Sequence, residues 1–143
     1  MQFIDGGVTA PKGFTANGML CKIKESSTKN DLALVFSEKL CNAAGVFTQN
    51  KVKAESVKLT KENIANGKAQ AVIANSGNAN ACTGEQGAKV ARKMASLAAD
   101  VLGINSGDVI VYSTGVIGKQ LPVEKIEKNI QSLKDGLSKE GHK

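Results

Sequence analysis

The chain has 143 residues, 41% hydrophobic and 22% charged, enough for one domain with a true core and unlike a disordered segment. Aromatics make up only 3% and tryptophan is absent, so the core is expected from Val, Ile, Leu and Ala. The formal charge of +6 comes from lysines spread along the chain, without a basic run or aromatic platforms, which argues against nucleic acid as a partner.

Cys21, Cys41 and Cys82 are odd in number and widely spaced, and His142 is the only histidine. That set offers neither a disulfide framework nor a zinc site, and it fits a reducing compartment. No signal peptide is read at MQFIDGGVTAPKGF and no apolar stretch reaches membrane-span length, so a cytoplasmic location is expected.

In chain order, the first eighteen residues read as loop. MLCKIK (19–24) and DLALVF (31–36) read as strands joined by SSTKND, a possible hairpin. Residues 44–49 and 55–59 are further strand candidates, and 61–66 a short helix ended by Gly67. AQAVIAN (69–75) reads as a buried strand running into the loop SGNANACTG. Thr83 and Gln86 form a capping-box pattern, after which Val90, Met94, Leu97 and Val101 make one apolar stripe. Ala91, Ala95 and Ala98 beside it allow close approach to a sheet, and Gly103 stands at the C-cap position. DVIVY (108–112), apolar in its middle, reads as a central strand leading into STGVIG. A last helix opens with Pro122 in its first turn and carries Val123, Ile126, Ile130, Leu133 and Leu137 on one face. Residues 134–143 read as a polar, flexible tail. The expected fold is an α/β or α+β layered domain spanning 1–143, a mixed sheet covered by helices.

Two strand–loop–helix junctions offer backbone N–H groups to an anion or a developing oxyanion: 75–84 and 113–118. The first matches no nucleotide-binding glycine pattern, and its plainer reading is a tight connection held by Asn side chains. Cys82 precedes a helix, where the dipole favours a thiolate, but the sole histidine is far away in sequence. A buried or half-buried structural cysteine is the expectation there. STGVIG places a Thr hydroxyl beside glycine N–H groups, and alone it reads equally as a turn. Glu85 and Asp108 are expected to be helix-dipole or turn partners rather than acid–base catalysts.

GGVTAPKGFTANGM, AGVFTQNKVKAESV, VIANSGNANACTGEQG and VYSTGVIGKQLP, in this order from about Asp5 to Ile130, resemble the N-terminal half of the ornithine acetyltransferase (glutamate N-acetyltransferase) family. The resemblance implies a self-cleaving precursor whose second, β chain begins with a nucleophilic threonine. That threonine takes acetyl from N-acetylornithine and passes it to glutamate in a ping-pong cycle, with acetyl-CoA a donor in some members and no resident cofactor. It implies a layered fold shared between α and β chains in a hetero-oligomer. By position it makes Thr114 and Gly115 the oxyanion hole. No threonine here follows an alanine, so the family's Ala-Thr cleavage site and its substrate-binding Thr and Lys are expected beyond Lys143. This chain alone is then expected to be inactive and to expose surfaces that the β chain would cover. The alternatives are a small-molecule or phosphate-binding module using the 76–84 loop, and a structural fragment without activity.

Overall fold

A computed structural model of the chain describes residues 6–142; the first five residues of the expected N-terminal loop, and Lys143 of the expected tail, lie outside them. The elements are β1 (Phe14–Met19), β2 (Leu32–Asn42), α1 (Glu55–Asn63), β3 (Lys68–Asn75), α2 (Gly84–Leu102), β4 (Val109–Ser113) and α3 (Val123–Asp135). The sheet order is β1-β2-β3-β4, with antiparallel pairing except for the parallel β3–β4 pair. The expected α+β mixed sheet with helices is what forms.

Alternation builds the core. In β3, Ala69, Ala71, Ile73 and Asn75 point inward and are buried, while Gln70, Val72 and Ala74 face the other way and are half-exposed. The inward side meets α2, whose Val90, Met94 and Leu97 are buried as the stripe requires, with Val101 half-buried. Ala91, Ala95 and Ala98 are buried beside them, the small contacts that let helix and sheet approach. Gly103 ends α2 at φ 68, a left-handed cap that glycine adopts without steric cost. In α3, Ile126, Ile130 and Leu133 are buried. Among the described residues no helix is long and apolar enough to cross a membrane.

Several expectations are corrected. The hairpin's first strand is Phe14–Met19 rather than 19–24, inside the segment read as loop. Residues 20–31 instead form a loop hooked by Asp31, whose buried carboxylate accepts from Cys21 N at 2.6 Å and Ile23 N at 2.7 Å. Residues 44–49 pair with no strand. Residues 55–59, short enough to alternate by chance, begin helix α1.

Val109–Ser113 is not central but an edge strand, because a strand apolar on both faces says nothing about its hydrogen-bonding edges. Helix α1 lies along that edge. Thr60 Oγ1 bonds both Val111 O (2.8 Å) and Val111 N (3.0 Å), and Asn63 Nδ2 donates to Val109 O (2.8 Å). At the opposite edge, the segment expected as a tail is tied to β1. Ala16 and Ser138 exchange backbone hydrogen bonds of 3.0 and 3.1 Å, and His142 Nδ1 lies 2.8 Å from Thr9 Oγ1. A polar composition reads as tail, yet its backbone groups satisfy an otherwise open strand edge.

The sheet face away from α2 and α3 carries two rows in register, Val35–Val72–Ile110 and Ala33–Ala74–Tyr112, with Tyr112 59% exposed. No described helix covers this apolar face.

Cys21 gives a pH prediction. Burial, and then the Asp31 charge, push its thiol from the ordinary 9.0 up to about 11. A thiol whose pKa is raised by folding is stabilising while neutral, below its unfolded pKa. Stability is therefore expected to fall as pH rises from about 9 to about 11. Thermal melts of wild type and Cys21→Ala across that window check it: the variant should lose this decline.

Candidate active site

The parallel pair β3–β4 brings both candidate loops to one end of the sheet, with Asn75 opposite Ser113. Pairing continues past the strands. Thr114 N donates to Asn75 O (3.0 Å), Val116 N to Gly77 O (3.3 Å), Ala79 N to Val116 O (2.9 Å) and Gly118 N to Ala81 O (2.8 Å). The two junctions are thus one structure, which neither loop shows by itself in the sequence.

The asparagines supply its frame. Asn78 Nδ2 donates to Lys119 O (3.0 Å) and Gln120 O (3.1 Å), while its Oδ1 accepts from Asn80 N (3.0 Å). Asn75 Nδ2 donates to Asn78 O at 2.9 Å, and Asn80 Nδ2 to Gly87 O at 3.0 Å. Asn75, Asn78 and Asn80 are all buried and their Nδ2 groups brace the backbone, while Asn75 Oδ1 has no hydrogen-bond partner among the described residues. Asn78→Ala would strand two carbonyls and one N–H. It is expected to cost about 3 kcal/mol of unfolding free energy, read by denaturant melts.

The capping box does not form. Thr83 is the N-cap of α2, but its hydroxyl donates to Asn80 Oδ1 at 2.8 Å instead of capping a helix N–H. The hydroxyl supplies the donor that the buried Asn80 amide oxygen needs, whereas a cap would have to accept from a helix N–H. Cys82, expected to be buried or half-buried, is exposed at φ 57, because Asn80 and Thr83 on either side take the inward positions. It does not meet His142, which sits against Thr9 by the β1 edge. Glu85 lies in the first turn of α2 as expected, whereas Asp108, read as the start of the strand, ends a short 3-10 turn before β4. Among the described residues, no group of three or more His, Cys, Asp or Glu side chains could hold a metal ion.

Thr114 joins this structure through its backbone N–H, but its hydroxyl does not. Thr114 and Gly115 are both exposed, and among the described residues neither the Thr114 hydroxyl nor the Gly115 N–H has a hydrogen-bond partner. Gly115 has φ 130, and a Cβ there would lie 2.3 Å from the Gly77 carbonyl carbon. The loops approach so closely that only glycine fits. Beside Thr114 a cleft of about 230 Å³ runs between Tyr112, Ala74, Ala33 and Ser76.

This arrangement sits in a chain whose residues 15–143 match the ArgJ family. The chain belongs to the ArgJ family. It is 53% identical over 141 residues to the arginine biosynthesis bifunctional protein ArgJ of Caldanaerobacter subterraneus subsp. tengcongensis, covering 99% of this chain and 34% of that protein. With the ArgJ protein of Symbiobacterium thermophilum the identity is 51% over 142 residues, 99% of this chain and 35% of that protein. The crystal structure of the Bacillus halodurans ArgJ protein is similar with a TM-score of 0.86 at 41% identity, over 94% of this chain and 70% of that chain. The ornithine acetyltransferase of Mycobacterium tuberculosis, crystallised in complex with ornithine, is similar with a TM-score of 0.88 at 41% identity, over 92% of this chain and 71% of that chain. The chain therefore spans about a third of the length of these curated relatives, and its fold matches that of these solved structures.

Proposed function

We propose that this ArgJ chain forms the oxyanion-stabilising part of an acetyltransferase that moves acetyl from N-acetylornithine to glutamate through an acyl-threonine intermediate. The observation that carries this reading is the pair of unengaged donors at Thr114 and Gly115 on the hydrogen-bonded double loop, with Thr114 lining a cleft. A tetrahedral intermediate of acyl transfer concentrates negative charge on the former carbonyl oxygen. Donors already in place, with no intramolecular bond to break, stabilise it without reorganisation.

In this mechanism the nucleophilic threonine belongs to the remaining two thirds of the family's length. It attacks the acetyl carbonyl of N-acetylornithine, the oxyanion rests on the Thr114 hydroxyl and the Gly115 N–H, and ornithine departs. Glutamate's amine then attacks the acetyl-threonine ester through a second oxyanion at the same donors; the ester C–O bond breaks, N-acetylglutamate leaves, and the amine's proton returns to the threonine hydroxyl. The apolar rows Val35–Val72–Ile110 and Ala33–Ala74–Tyr112 favour this two-part reading, since an apolar sheet face of this extent is stabilised by burial against another layer. The threonine-bearing β chain is the proposed occupant of that face, in a hetero-oligomer, and the chain alone is inactive.

Reconstitution tests the proposal. This chain is mixed with a separately produced partner beginning at the family's catalytic threonine, and acetyl transfer from N-acetylornithine to glutamate is followed with each chain alone as control. Activity in the mixture only is the expected result. Activity from this chain alone would overturn it and direct attention to exposed Cys82.

A further inference from the structure

The cleft beside Thr114 does not end at Ser76. Asn30, Asp31 and Ser76 also line a second cleft of about 270 Å³, so the two form one trough around the end of β3. Its far wall is the loop 24–29, which brings Lys24, Lys29 and the hydroxyls of Ser27 and Thr28 to the trough. We propose that this loop is an anion-binding rim, receiving a carboxylate or phosphate group of the ligand whose acyl carbonyl lies at Thr114. The proposal rests on the oxyanion reading of Thr114 for its orientation, and on the charges of the loop for its chemistry.

The loop's own acids are engaged elsewhere. The Asp31 carboxylate is taken by the backbone N–H groups of Cys21 and Ile23 at 2.6 and 2.7 Å. Glu25 is bonded to Lys125 of α3. That hydrogen bond and the Lys125 charge, with smaller contributions from Lys22 and Lys119, hold its carboxyl below the ordinary range. Among the described residues, Lys24 and Lys29 make no ion pair. Lys24 and Lys29 thus stay unpaired at the trough, where the one lining carboxylate, Asp31, is buried and turned to backbone N–H groups.

The rim is also fixed relative to the oxyanion loop. Ser27 N donates to Lys24 O at 2.8 Å, closing a turn. Lys24 packs on Gly77 so tightly that a Cβ on that glycine would lie 3.0 Å from the Lys24 Cβ and 3.2 Å from its N. Gly77 in turn accepts from Val116, next to Gly115. Ammonium groups on flexible stems, with hydroxyl donors between them, bind anionic oxygens as point charges without demanding one geometry. Both the carboxylates of an acylated amino acid and the phosphates of a thioester donor present such oxygens.

The isotope-labelled chain would be titrated with N-acetylglutamate and, separately, with inorganic pyrophosphate at constant ionic strength, following its amide resonances. Saturable shifts at residues 24–30 and Ser76 are expected, and the double variant K24Q/K29Q should weaken binding about tenfold. Lys93→Gln, a distant change at the Lys93–Glu127 pair, should leave it unaltered. A response to N-acetylglutamate alone assigns the rim to an amino-acid carboxylate, and one to pyrophosphate alone assigns it to a phosphorylated donor. No saturable shift with either probe, or equal binding by K24Q/K29Q, overturns the proposal. In the reconstituted enzyme the same double variant should raise KM with kcat retained, whereas a change at Thr114 acts on kcat. Failure of the rim is thereby distinguishable from failure of the oxyanion reading.

Discussion

Thr114→Ala is expected to lower kcat of the assembled enzyme about 100- to 1000-fold, the usual cost of one lost oxyanion donor, while KM changes little. The distinction follows from when the donor acts. A neutral carbonyl in the ground state gains little from the hydroxyl, and the negative oxygen of the intermediate gains much. The folded chain should not register the change. Thr114 is exposed and its hydroxyl serves no protein group among the described residues, so removal orphans no buried atom and should shift stability by about 0.5 kcal/mol or less. Thr114→Ser, which keeps the hydroxyl, should recover most of the turnover. Steady-state kinetics with N-acetylornithine and glutamate, beside thermal melts of each variant, check both halves. Full turnover in Thr114→Ala would remove Thr114 from the mechanism.

Gly115→Ala is expected to damage fold and activity together. Its φ of 130 is outside the range of ordinary L residues, and the new Cβ would meet Gly77 C at 2.3 Å and Asn78 N at 2.6 Å. These are backbone atoms, so no side chain can turn aside, and strain and clash should together cost about 3 kcal/mol or more. For a domain of this size that lowers the melting temperature by roughly 10 °C. Gly118→Ala is the control: φ is positive there as well, at 77, but nothing lies within 4 Å of the added Cβ. It should cost only about 1–2 kcal/mol of backbone strain. Equal melting of the two variants would show that the close approach of the loops is not what demands glycine at position 115.

The helical stripes and β3 were legible because burial on one side leaves a period in the chain. Val90, Met94 and Leu97 recur at helical spacing and are buried against the sheet. Helix α1 was less legible: Glu55 to Leu59 is too short for alternation to exclude a helix. Its helical nature shows in Thr60 and Asn63, three apart and so on one face, both bonded to the edge of β4. Strand β1 was missed because FTANGM carries polar and glycine residues, and its edge is completed by Ser138, far along the chain. For the candidate site, the Thr-Gly pair came from the resemblance, its loop alone reading equally as a turn, and the sequence did not show that the Thr114 hydroxyl and Gly115 N–H lack partners among the described residues.

By itself the sequence determined the aliphatic core, the two amphipathic helices, the left-handed cap at Gly103 and the family. Each is written in local periodicity, in one residue's backbone freedom, or in motifs along the chain. Only the tertiary structure decided that β4 is an edge strand, that Cys82 faces outward while Asn80 and Thr83 face in, and that the two loops are one unit. The reason is physical. Burial pattern is a property of side chains along one segment. Hydrogen-bonding edges and the contact between Gly77 and Gly115 depend on which segments meet, and that pairing is set by packing across the whole sheet.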